Sequence, residues 1–207
     1  MQEFLASTNF TVVFISLIAV KFLLETYLKL RNLKSIELNK NAIPERFVGV
    51  VTEEEYKKSI VYNIDRIRFQ IFTALFGAVV LIIFTLGGLF NFLAEIVVST
   101  TSSDVLGAVL LGLLLLIVEQ VISIPISIYS TFVIEEKHGF NKTTTKTFVT
   151  DMFKSLLISA TISSIIYATV IYIVVNLGDN WWIYAFGAVF ILQAIIFFLY
   201  PVLIMPL

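Results

Sequence analysis

The side chains that could do chemistry in this sequence are few, and their spacing limits what they can do. There is one histidine, His138, and there is no cysteine. A protein metal site needs several convergent ligands, so a lone imidazole does not build one. The absence of Cys also excludes disulfides and thiolate ligands. The other candidates are polar groups set into apolar runs. Glu119 and Gln120 directly follow the run from Leu113 to Val118, and Gln193 sits in a second apolar run. Lys21 and Glu25 fall four apart in a third, a spacing that places them on one helical face where they can pair. A carboxylate at membrane depth costs about 2.5–3.5 kcal/mol on insertion scales. Glu119 is therefore expected to face a bundle interior, a watery cavity or a partner cation. Two readings stay open for Glu119, Gln120 and Gln193. They line a polar cavity, or they form interhelical hydrogen bonds worth about 0.6–2 kcal/mol each.

The elements that must carry these groups are membrane spans. Hydrophobic residues make up 58% of the 207 and charged residues 14%, with a mean hydropathy of +0.96. A soluble domain carries roughly 25% charge, so lipid must solvate much of this chain. The net charge of −1 gives no reason to expect nucleic acid as a partner. A spanning helix needs about 20 mostly apolar residues. Five stretches qualify, at about residues 10–28, 69–94, 105–129, 155–175 and 181–205. The expected fold is thus an all-α integral membrane bundle, read as a single domain over 1–207. The first apolar stretch has no basic residue before it and is expected to remain as an anchor rather than a cleaved leader.

Charge sets the expected orientation. Of the 14 Lys and Arg residues, all but Lys21 fall in two long connections, residues 29–68 and 131–154. Basic residues collect on the cytoplasmic side. Both connections and the carboxyl terminus are therefore expected in the cytoplasm, and the amino terminus on the lumenal or outer side. On that map neither Asn9-Phe10-Thr11, at the membrane edge, nor Asn141-Lys142-Thr143, in the cytoplasm, is expected to carry a glycan. Trp181, Trp182 and Tyr184 open the last span as interfacial anchors. The first connection reads as structured. Thr52 with Glu55 matches a capping box opening an amphipathic helix through Tyr56, Ile60 and Ile64, and Pro44 should stop any helix arriving from the first span. Pro125 predicts a kink in the third span, with nearby Ser residues available to the carbonyl it leaves without a donor.

The run Glu135, Glu136, Lys137, His138, Gly139, Phe140, Asn141, preceded by Ser123-Ile-Pro125 and Tyr129, resembles the amino-terminal membrane domain of type 1 CAAX prenyl proteases. Tyr27 to Arg31, the pattern Lys58-Ser59-x-x-Tyr62-x-x-Asp65, Asp151, and the ending from Tyr200-Pro201 to Met205-Pro206-Leu207 support it. The resemblance covers essentially the whole chain. It implies part of a helical barrel around a water-filled chamber in an intramembrane zinc metalloendopeptidase acting on prenylated peptides, in the endoplasmic reticulum membrane or, in a prokaryotic host, the bacterial inner membrane. In that family zinc is held by HExxH and a more distant Glu, and no HExxH occurs here. No catalytic or metal-binding residue carries over. The expectation is that this chain alone binds no cofactor, and that zinc comes only with a polypeptide bearing the HExxH half. His138 is then read as a hydrogen-bonding residue in a tight turn, with Gly139 supplying a positive φ and Phe140 packing back on the bundle. Two other readings are a non-enzymatic scaffold that keeps the family's bundle, and a small transporter, for which no inverted repeat is visible.

Overall fold

The structure, a computed structural model, describes residues 2–41 and 43–199. The described residues are predominantly helical: α1 (Gln2–Asn39), α2 (Glu53–Thr85), α3 (Leu89–Val98), α4 (Asp104–Tyr129), a π-helical stretch (Ser130–Glu135), α5 (Glu136–His138), α6 (Thr145–Asn176) and α7 (Trp181–Leu199). Among the described residues, five helical stretches are long and apolar enough to cross a membrane. With so much of the chain destined for lipid, few apolar side chains are enclosed by protein. Among the described residues the buried ones are Ile60, Ile67, Leu93, Val97, Ile134, Ile173 and Ala185.

Several helices run well beyond the apolar stretches that nucleate them. At 1.5 Å per residue, the 38 residues of α1 measure about 57 Å, against a hydrocarbon core about 30 Å thick. The segment Ile36 to Leu38, which the sequence places in the connector, is the last part of this helix. α1 ends at Asn39, before Ile43-Pro44, where the residue preceding a proline is disfavoured in helix. The chain then makes a short 3₁₀ turn at Glu45–Phe47. α2 starts on a complete capping box: the Thr52 hydroxyl accepts from the Glu55 amide, and the Glu55 carboxylate accepts from the Thr52 amide at 2.9 Å.

The second span corrects the expected range 69–94. α2 stops at Thr85, because the amides of Leu86 and Gly87 both turn to the Ile82 carbonyl, at 2.8 and 2.9 Å, and Gly88 follows at φ +77°. A Cβ on Gly87 would meet the Ile83 carbonyl oxygen at 2.6 Å, so a side chain there would collide with the helix it closes. Residues 89–98 form the separate helix α3. Glu95, expected in a loop, lies within it. The third apolar helix passes unbroken through Pro125 and continues through the π stretch to His138. Pro125 has no N–H for the Val121 carbonyl; the nearby Ser123 hydroxyl donates instead to the Gln120 carbonyl at 2.9 Å. The last span is described to Leu199. Its expected end at 205 and the closing motif from Tyr200 lie outside the described residues.

The chain divides into two compact units. Among the described residues, one holds α1, α2 and Ile126–Lys142; the other holds Gly88–Pro125 and the chain from Thr143 through α7. In the first, α1 and α2 pack antiparallel: Tyr56 donates to the Asn39 carbonyl and Lys29 to the Gln70 carbonyl, both at 3.1 Å. In the second, α6 and α7 form a hairpin around the 3₁₀ turn Gly178–Asn180. The Tyr167 ring of α6 lies against the backbone of Gly112 in α4, where a Cβ would overlap it.

Candidate functional site

The richest side-chain cluster forms where the end of the third apolar helix meets α2. Gly139 terminates α5 at φ +72°, ψ +23°, a left-handed conformation that costs any residue with a Cβ roughly 1–2 kcal/mol. That reversal lets the amides of Phe140 and Asn141 return to the Glu135 carbonyl, at 2.9 and 3.3 Å, and the Gly139 amide to Glu136 at 3.0 Å. The Asn141 side-chain amide donates to the Glu136 carboxylate at 2.8 Å. The orphan carbonyls of the helix end are thereby satisfied from within the motif.

The turn is pinned to α2 by Asp65. One oxygen of its carboxylate accepts from Lys137 Nζ at 2.7 Å and lies 2.9 Å from His138 Nε2. Asp65 lies in the polar first half of α2, ahead of the apolar stretch that begins at Phe69. There the Lys137 ammonium and then the His138 imidazole hold its carboxyl below the ordinary carboxylate range. His138 is 5% exposed. It is buried at a helix end, not displayed in a basic loop as the sequence suggests. Tyr62, one turn before Asp65, sets its ring edge-on to the imidazole at 5.4 Å and packs on Phe140 at 4.7 Å. One turn earlier still, Lys58 Nζ stands 5.7 Å from the centre of the Phe140 ring. Lys58, Tyr62 and Asp65 thus form one stripe of α2, the 3–4 spacing that puts side chains on a common face.

The π stretch Ser130–Glu135 immediately precedes this turn. Such segments shift the register of the side chains that follow. Here the consecutive residues Lys137 and His138 both reach one carboxylate oxygen.

The other sequence candidates are not gathered into a cluster. Glu119 and Gln193 are exposed and Gln120 is half-buried. No hydrogen bond or ion pair links these three side chains among the described residues. Lys21 and Glu25 stand 3.8 Å apart, with Lys29 at 3.9 Å from the other Glu25 oxygen, all on the flank of α1. The sequence alone did not place Asp65 and Tyr62 with His138. The pattern on α2 was visible; its partner across 73 residues was not.

These donors do not fit a zinc ion. A zinc site takes three or more protein ligands, and among the described residues no three His, Asp or Glu side chains converge. The one imidazole already shares its carboxylate oxygen with an ammonium. What the arrangement does is join two helices, with the ions and rings ordered for that purpose.

Comparison with known proteins gives a consistent result. Residues 32–207 match the family described as the CAAX prenyl protease N-terminal domain with five membrane helices. The chain is 34% identical over 195 residues to a CAAX prenyl protease 1 homolog of Arabidopsis thaliana, covering 91% of this chain and 46% of that one. Identity to the homolog of Oryza sativa subsp. japonica is 32% over 193 residues, covering 90% and 45%. The crystal structure of S. mikatae Ste24p superposes with a TM-score of 0.85 at 27% identity, covering 94% of this chain and 46% of that one. The chain spans about half the length of the curated relatives it matches.

Proposed function

The chain belongs to the CAAX prenyl protease family through that family's amino-terminal five-helix membrane domain, and from this premise we propose that it forms the chamber wall of a prenyl-peptide-processing zinc metalloendopeptidase. The observation that carries the reading is the match of residues 32–207 to that domain, in a sequence with one His and no HExxH. The chain admits and orients a prenylated carboxyl-terminal peptide and is not catalytic alone. Zinc would be held by the HExxH half and would supply Lewis-acid and water-activating chemistry there; none of this chain's residues holds it. Glu119, Gln120 and Gln193 line the chamber. The protein resides in the endoplasmic reticulum membrane, with the amino terminus lumenal and the carboxyl terminus cytoplasmic; the clustering of basic residues in alternate connections supports that orientation.

Two measurements test this reading. The chain is co-reconstituted with a carboxyl-terminal half, bearing HExxH, from one of its relatives, and presented with a farnesylated CAAX peptide. Cleavage by the pair and by neither half alone is expected; a well-folded pair that leaves the peptide intact overturns the proposal. The natural absence of Cys allows the second. Single cysteines at 119, 120 and 193 should react with a membrane-impermeant thiol reagent, and protection of all three removes the chamber wall from the proposal.

A further inference from the structure

Beyond the Asp65 cluster, the most unbalanced part of the first unit is a band of cations just past its apolar stretches. The contacts of Asn39 with Tyr56 and of Lys29 with Gln70 set the level of α1 against α2. They bring Arg31 and Lys34 beside the part of α2 that carries Arg66 and Arg68. All four are exposed. Among the described residues, the ion pairs take in Lys21, Lys29, Lys57, Lys137 and His138, and none reaches these four. Two nearby carboxylates are already engaged, Glu25 by Lys21 and Lys29 and Asp65 by Lys137 and His138; exposed Glu37, three residues after Lys34, is the one nearby acidic group left among the described residues to offset the four cations. Arg31 has an aromatic contact, with its guanidinium 5.9 Å from the centre of the Tyr27 ring.

Arg31 and Lys34 also belong to a shallow groove along one face of α1, lined by Tyr27, Leu30, Arg31, Lys34, Ser35 and Leu38. Tyr27 and Leu30 lie at the end nearest the apolar span, the two cations and the Ser35 hydroxyl come next, and Leu38 closes the far end. The part from Tyr27 to Ser35 runs from apolar to cationic, as a phospholipid runs from acyl chains to a phosphate. Uncompensated Lys and Arg just outside a spanning segment attract anionic headgroups. We infer that this face of α1 binds an anionic phospholipid, its headgroup phosphate on Arg31 and Lys34 and its upper acyl chain along Leu30 and Tyr27. Arg66 and Arg68, on either side of buried Ile67, extend the positive field around the same level of the helix pair. The occupant is a lipid rather than a soluble anion because the cations stand at the mouth of an apolar surface.

The test uses the full chain in bilayers of phosphatidylcholine and phosphatidylserine. The protein is released gently, and the lipids it retains are counted by mass spectrometry. Phosphatidylserine should be enriched about fivefold over its share of the bilayer, and R31Q/K34Q should return retention to the bulk ratio with helicity unchanged. A folding defect in the variant would leave the wild type to decide. Its enrichment should fall when salt is raised from about 0.1 M to about 1 M, shortening the Debye length from about 10 Å to about 3 Å. Retention at the bulk ratio by the wild type, enrichment that survives R31Q/K34Q, or enrichment indifferent to salt would each overturn the assignment. So would displacement of phosphatidylserine by inorganic phosphate at constant ionic strength, which would make the ligand a free anion.

Discussion

The two units hold their helices together by different means. In the first, α2 and the turn at Gly139 are joined by a carboxylate with an ammonium at 2.7 Å and an imidazole at 2.9 Å, between aromatic rings. In the second, α4 and α6 meet through a bare backbone, with the Tyr167 ring against Gly112, while Glu119 on the same α4 has no ion-pair partner among the described residues. The difference follows from the solvent each contact is built for. Outside the hydrocarbon, polar groups can be brought together at modest cost, and a directional contact fixes one arrangement. Within it, lipid tails are as apolar as leucine, so helices associate by close packing of small residues. The first kind of contact fails when a charge is removed, the second when an atom is added.

Removing the charge should produce the largest effect. Asp65→Ala leaves a buried imidazole and a lysine without their shared acceptor. Hydrogen bonds to charged groups contribute about 1.5–3 kcal/mol each, and a loss of about 3 kcal/mol is expected for the pair. Amide hydrogen exchange should report it locally, as faster exchange at Phe140 and Asn141, whose bonds to Glu135 depend on the turn. Unchanged exchange there would show that the rings alone hold the turn. Asp65→Asn keeps an acceptor of similar shape and should recover part of the protection.

Adding an atom should come next. Gly112→Val places a branched side chain where the Tyr167 ring now lies, and overpacking of this kind costs about 1–3 kcal/mol. The midpoint of thermal unfolding in bilayers should fall, and Tyr167→Ala in the same chain should restore part of it. A variant as stable as the parent would mean that the ring swings away freely and that α4 and α6 are held elsewhere.

How much of this was legible in the sequence varies from one feature to another. The number of spans was legible because a predominantly apolar run of about twenty residues, even one carrying a Glu119 or a Lys21–Glu25 pair, matches the thickness of a bilayer and little else. Thr52 with Glu55 was legible because a capping box is local, complete within four residues. Gly139 was legible for the same reason. The break at Gly87-Gly88 is not legible because the apolar pattern continues without interruption through Phe90 and Leu93, and hydropathy carries no information about backbone sign. The pairing of Asp65 with His138 is non-local, and no period or spacing links positions 73 residues apart. The role of Gly112 is not legible either, since the sequence does not say which residue of a neighbouring helix will fall opposite a glycine.

The smaller effects sharpen the contrast within the first unit itself. Gly139→Ala keeps every charge and tests only the backbone. At φ +72° the substitution should cost about 1 kcal/mol, and the added Cβ would also stand 3.4 Å from Lys58 Nζ. Faster exchange at Phe140 is expected, short of that in Asp65→Ala.

Lys21→Ala should have the least effect of all, although it too removes one partner of an ion pair. The side chains of Lys21 and Glu25 are 76% and 42% exposed at a separation of 3.8 Å, and Glu25 keeps Lys29 at 3.9 Å as an alternative. Exposed pairs at this spacing contribute about 0.3–0.5 kcal/mol, so a shift in unfolding midpoint near the limit of detection is expected. The comparison is informative because the charge removed equals in size that removed at Asp65. If Lys21→Ala proved as damaging as Asp65→Ala, Lys21 would have to act on something beyond Glu25, and burial of the partner, which separates His138 from Glu25, would no longer account for the difference between the two pairs.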